Sequence, residues 1–169
     1  MFRCWASVIL ALIVTATYVT SLPGSYAIQR RASKCNGYQD LCNLNYSNVT
    51  HIGAHDSFAV GKLGSLGSNQ EANVTVQLED GIRLLQIQTH ASSGHQDSNP
   101  SGLSLCHTSC ALKNGGTLES YLRQVKQFLD QNKNEIVTLV ITNLDNKPVS
   151  NYAKAFENTG VNSMAYRAN

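Results

Sequence analysis

The chain has 169 residues, enough for one compact domain. It is 42% hydrophobic and 14% charged, with a formal net charge of +2. So low a charge density argues against a disordered tail, and a small positive balance without a basic run gives no case for nucleic acid as a partner.

Residues 1–27 read as a secretory signal peptide. Arg3 precedes an apolar block from Val8 to Val14, more small and apolar residues follow up to Val19, and Ser25-Tyr26-Ala27 offers small residues where a signal peptidase cuts. A single-span anchor is the alternative, but the unbroken apolar run is shorter than a bilayer requires. Arg30-Arg31 offers a second, dibasic processing site on weaker grounds.

Export makes the cysteines interpretable. Cys4 leaves with the signal, so Cys35, Cys42, Cys106 and Cys110 remain, an even number that reads as two disulfides in an oxidising compartment. Spacing does not fix the connectivity, although Cys35–Cys42 and Cys106–Cys110 close the shortest loops. Zinc is the rival reading, with His107 between Cys106 and Cys110, but the other two cysteines lack a CxxC spacing. Three sequons, at Asn45, Asn48 and Asn73, agree with export and predict glycosylated, solvent-facing asparagines.

Residues 28–47 are polar and form a disulfide-stapled N-terminal segment. Residues 48–169 follow as the α/β body. Its first strand is predicted over Val49–His55, an apolar run that ends in His55-Asp56 and loosens into a Gly- and Ser-rich loop from Ser57 to Asn69. A histidine can move a proton near neutral pH and an adjacent carboxylate can orient it. The bland alternative is a hydrogen-bonded structural histidine.

Gln70–Asp80 predicts a short helix at best. Gly81 introduces a second strand, Ile82 to His90, with Arg83 at its beginning and Gln86-Ile87-Gln88 towards its end. Ala91–Gly102 is too short and turn-rich for a crossover helix. Leu103–His107 is a third strand ending in a second histidine, and Asn114-Gly115-Gly116 a turn. Thr117 caps the clearest helix, whose Leu118, Tyr121, Leu122, Val125, Phe128 and Leu129 recur at helical spacing. Ile136–Ile141 is a near-continuous apolar strand of the parallel-sheet kind, exiting through Thr142-Asn143-Leu144-Asp145. A last helix is predicted over Val149–Asn158.

That makes about four strands, whereas a parallel barrel closes with about eight. The body is therefore either a small α/β sheet or the front half of a longer barrel.

Four segments in order carry a family resemblance: Gly53-Ala54-His55-Asp56-Ser57, Asp80 to His90, Leu105-Cys106-His107-Thr108-Ser109-Cys110, and Thr117 to Asn143. Over roughly Cys35–Val161 the chain resembles the X region of phosphatidylinositol-specific phospholipase C enzymes, and more narrowly the secreted fungal PLC-like phosphodiesterases. The resemblance implies a TIM-barrel-like α/β fold of which only the N-terminal half is present. It also implies a phosphoric diester hydrolase in lipid metabolism, extracellular, with a phosphodiester or phospholipid headgroup as partner and transient contact with a membrane surface. By position His55 would be the general base, His107 the general acid, and Asp56 the carboxylate supporting the pair.

The departures concern charge. Bacterial members place Asp-x-Arg at the end of the second strand, and calcium-dependent members place acids there; this chain has Gln86 and Gln88, and Thr142 where the calcium group has a further acid. The calcium-type acidic ligand set is not visible, so no cofactor and no metal is predicted. Gln86, Gln88, His90 and Asn143 are left as the candidate substrate-binding residues, the glutamines as neutral donors to phosphate. An impaired secreted binding protein, or a truncated product retaining the anionic-ligand pocket, is the alternative to an active hydrolase.

Overall fold

A computed structural model describes residues 33–62, 64–92 and 99–167. The expected signal peptide lies outside the described residues. The body is a mixed α/β fold: a curled, half-barrel sheet with three α-helices among the described residues.

The central strand is β2 (Leu84–Ala91). It pairs in parallel with β1 (Gly53–Ala54) through Gly53↔Leu84 and Ala54↔Leu85, and with β5 (Thr138–Asn143) from Leu84↔Thr138 to Thr89↔Asn143. It also pairs antiparallel with β3 (Leu103–Cys106) through Thr89↔Leu105 to Ala91↔Leu103, and β3 pairs antiparallel with β4 (Asn114–Thr117). Leu84 and Leu85 face both β1 and β5, and Thr89 faces both β3 and β5. A strand has two edges, so β1 and β3 share the one opposite β5. Between them the edge of Gln86-Ile87-Gln88 has no strand beside it.

Side-chain alternation along β2 sends Leu85, Ile87 and Thr89 into the core, leaving Gln86, Gln88 and His90 half-buried on the other face. The helices α1 (Val74–Glu79), α2 (Leu118–Gln131) and α3 (Val149–Thr159) supply Leu78, Leu118, Leu122, Val125, Phe128 and Ala155 to that core. Thr117 caps α2 by accepting from the Ser120 N–H, and Asn73 caps α1 by accepting from the Val76 N–H.

The two disulfides are Cys35–Cys42 and Cys106–Cys110, which settles the pairing that spacing left open. The first holds an N-terminal clasp against the turn before β5: Asn36 Oδ1 accepts from Ile136 N–H, and Gly37 N–H donates to Glu135 Oε1. Asn45, Asn48 and Asn73 are all exposed.

Three expectations need correction. The first strand shrinks from Val49–His55 to two residues: residues 50–52 have no regular structure and His55 already belongs to the turn that follows. The third strand is antiparallel to the second, since the segment joining them is too short for the crossover that parallel pairing needs. Asn114-Gly115-Gly116 lies in strand β4 rather than a turn. Glycine is required there because Phe58 lies across it: a Cβ on Gly115 would come within 2.5 Å of Phe58 Cδ2.

Candidate active site

The chain leaves β1 at His55 and turns sharply. Asp56 adopts a left-handed backbone, φ +44°, a region that Asp tolerates better than most residues. Two bonds to β2 hold that turn against its uncovered edge: Asp56 N–H donates to Gln86 Oε1 at 2.8 Å and Ser57 N–H to the Gln86 carbonyl at 3.0 Å. From the other side β3 runs back along the same edge, and its end delivers His107.

The meeting point is one carboxylate oxygen. Asp56 is fully buried, and its Oδ2 accepts from Asn69 Nδ2 at 2.9 Å and Gln88 Nε2 at 3.1 Å. His55 Nε2 stands 3.2 Å from that oxygen and His107 Nε2 3.5 Å from it. Its Oδ1 is buried with no hydrogen-bond partner among the described residues. A buried carboxylate needs donors close to it, and here the Asn69 and Gln88 amides provide them.

The outer ring nitrogens differ. His107 Nδ1 lies 2.9 Å from the Gly67 carbonyl, which can only accept, so that nitrogen carries the hydrogen and a neutral ring has its lone pair on Nε2. His55 turns Nε2, rather than Nδ1, towards Asp56. The His55 side chain is 69% exposed and that of His107 23%. Behind them, Ser57 Oγ is hydrogen-bonded to the Tyr121 hydroxyl, and burial pushes the Tyr121 phenol well above its ordinary range, with the Ser57 bond pulling partly back.

His55, Asp56, His107 and Gln88 thus come together at one point, with Gln86 holding the backbone beneath them. The glutamines are not free donors: Gln88 is spent on Asp56, and Gln86 donates weakly to Thr142 Oγ1 at 3.4 Å. His90 is not brought to the cluster. It lies at the outer end of β2 with Nδ1 3.1 Å from Asp145 Oδ1, and Asp145 Oδ2 accepts from Ala91 N–H. Asn143 is not brought there either; both ends of its amide bind the Lys147 backbone.

Sequence reasoning missed Asn69, Gly67 and Gln70, whose Nε2 donates to the His55 carbonyl at 2.7 Å. All three sit on the Ser57–Asn69 loop or just after it. The loop was legible as a cover for the strand end, but its individual partners were not.

Calcium does not fit this arrangement. The ion takes six or more oxygen ligands, whereas Asp56 is the one carboxylate here and N–H groups surround its Oδ2. Among the described residues no arginine or lysine side chain bonds to the cluster.

Comparison with known proteins gives the chain a family. The PI-PLC X family, described as PI-PLC X 1, matches residues 41–169. A protein of Arthroderma benhamiae named "PI-PLC X domain-containing protein 1" is 42% identical over 147 residues, covering 86% of this chain and 44% of that protein. Another from the same fungus, named "Uncharacterized secreted protein", is 42% identical over 132 residues, covering 78% of this chain and 28% of its own length. The chain therefore spans less than half the length of these curated relatives. No solved structure matches it.

Proposed function

The chain belongs to the PI-PLC X family, and from that premise we propose that it carries the proton-transfer half of a secreted phosphoric diester hydrolase. The substrate is a phosphoinositide-like phosphodiester that bears a hydroxyl next to the phosphate. The observation that supports this is the convergence of His55 and His107 on Asp56 Oδ2.

Cleaving such a diester by its own hydroxyl requires a proton to be taken from the nucleophile and one to be given to the leaving oxygen. His55 is the base: with Nε2 turned to Asp56, Nδ1 is the nitrogen left to take the proton, on a side chain that is largely exposed. His107 is the acid: Gly67 fixes its Nδ1–H, and a protonated Nε2 is the atom that delivers. Asp56 orients both rings without touching the substrate. The parallel pairing of β1, β2 and β5 supports reading them as the first strands of a TIM-like barrel. In that reading the charge that phosphoryl oxygens need comes from groups outside this cluster.

The chain is exported, consistent with the printed name of one relative and with the two disulfides. In a glycosylating pathway Asn73 and one of the closely spaced Asn45 and Asn48 carry glycans.

A purified longer form should cleave a soluble inositol phosphodiester, and His55→Ala and His107→Ala should each slow it on the order of a hundredfold or more. Equal rates in wild type and both variants would remove the assignment. One observation favours a second reading, a binding protein for an anionic headgroup: among the described residues no arginine or lysine side chain bonds to the cluster to stabilise a phosphoryl group in transit. Calorimetric binding of inositol phosphate without turnover would select it.

A further inference from the structure

His107 is the first residue of a loop with no regular structure, yet almost none of its polar groups is free. Its N–H donates to the Lys113 carbonyl at 3.1 Å, its carbonyl accepts from Ser109 N–H at 2.7 Å, and its Nδ1 is tied to Gly67. Thr108, next in line, is held in a left-handed backbone at φ +62°, a conformation that a β-branched residue avoids unless its surroundings impose it. Beneath the loop runs the Cys106–Cys110 disulfide, which encloses His107, Thr108 and Ser109. Cys106 is fully buried at the end of β3, so the crosslink anchors the loop to the sheet.

Gly67, which receives the ring hydrogen, packs against the far side of the same loop. A Cβ there would come within 2.9 Å of Lys113 Cβ and 3.2 Å of Leu112 Cγ. Partner carbonyl, ring and crosslink thus form one closed unit. His55 has no counterpart to this: it is held by Asp56 and by Gln70 on the open side of the cluster.

We propose that Cys106 and Cys110 are positioning residues for His107, and that their oxidation sets the imidazole in the tautomer and direction that proton delivery requires. The consequence for catalysis rests on the acid/base reading above; the positioning itself does not. In a reducing compartment a dithiol breaks the S–S bond, leaves two thiols and departs as its own disulfide, and the ring loses its fixed tautomer. On export the two thiols give up two electrons and two protons to an oxidised dithiol, and the acid is assembled. The chain is latent until it reaches an oxidising environment.

The test is imidazole NMR on the oxidised full chain beside Cys106→Ser/Cys110→Ser, with Cys35→Ser/Cys42→Ser as the control for losing a disulfide as such. Wild type and control should show a single His107 tautomer with a protected Nδ1–H. The Cys106/Cys110 variant should lose that signal and populate both tautomers, with His55 unchanged and cooperative unfolding retained. An unchanged His107 spectrum in that variant would overturn the proposal. So would loss of its cooperative transition, which would make the crosslink a support of the fold instead of the ring. In a longer, active form the same variant should lower kcat about a hundredfold with KM close to wild type. If even the wild type proves inactive, the hydrolase reading fails while the NMR result stands on its own.

Discussion

Gln88 Nε2 donates at 3.1 Å to Asp56 Oδ2, the same oxygen that both imidazoles face. A neutral amide on β2 is therefore part of what keeps a buried negative charge in place between two histidines. Gln88→Leu deletes that donor and should destabilise the fold by about 1–3 kcal/mol, the cost of leaving a buried acceptor short of a bond. Gln88→Glu should be worse, because it removes the donor and sets a second carboxyl against the buried one. Urea denaturation checks both, and a Gln88→Leu protein as stable as wild type would show that the bond contributes nothing.

Asp56 combines two demands, a charge and a left-handed backbone, and two substitutions separate them. Asparagine tolerates φ +44° and keeps an oxygen for the neighbouring donors, whereas alanine has neither advantage. Asp56→Ala should be less stable than Asp56→Asn by at least about 1 kcal/mol. In a longer, active form both should lose cleavage, since neither orients the rings with a negative charge. Retained activity in Asp56→Asn would mean that hydrogen-bonding shape, without charge, is enough.

Much of this was legible in the chain. The alternation of Leu85, Ile87 and Thr89 with Gln86, Gln88 and His90 marks which face of β2 is core, and the periodicity from Leu118 to Phe128 marks the buried stripe of α2. His55 and His107 stood out because each ends an apolar run. The direction of β3 was legible only through its connection: the strand pattern does not say which way it runs, but Ala91–Gly102 is too short for the crossover that a parallel neighbour needs. The work of the two glutamines was hidden for a related reason. Their type suggests a donor to phosphate, and only the turn at Asp56 shows that a closer acceptor takes them. Asn143 likewise lies at the expected strand end, but the tight turn at Lys147 consumes its amide.

At the opposite end of β2, Arg83 Nε and Nη2 both lie 2.7 Å from Glu135 Oε2, and each side chain is only 11% exposed. Arg83 Nη1 also donates to the Leu78 and Ile82 carbonyls, and the guanidinium sits 5.0 Å from the centre of the Phe128 ring. Removing one partner strands the other with little water to receive it. Arg83→Met and Glu135→Gln should each cost about 3–5 kcal/mol, and Arg83→Lys should recover little because lysine cannot supply the planar fork. Thermal unfolding of the three variants checks this. The double variant Arg83→Met/Glu135→Gln should be less damaged than the sum of its singles, and strict additivity would argue against a coupled pair.

Asp145 ties the outer end of β2 to the loop after β5, and its titration makes that tie sensitive to acid. Donation from the Ala91 N–H is the main cause that holds its carboxyl below the usual range, with the His90 ring and then Lys147 adding to it and partial burial opposing. A carboxylate with a depressed folded-state pKa binds its proton more weakly in the folded chain than in the unfolded one. Its stabilisation is therefore fully present above the ordinary carboxylate pKa and is lost as pH falls through the lower folded value. Asp145→Asn keeps an oxygen for Ala91 and removes the charge, so it isolates this effect. The gap between wild type and variant in urea midpoint should be steady from neutral pH down to about pH 5, then close progressively below about pH 4. A gap that stayed constant through pH 3, or that widened in acid, would mean that the charge on Asp145 does not hold this end of the sheet.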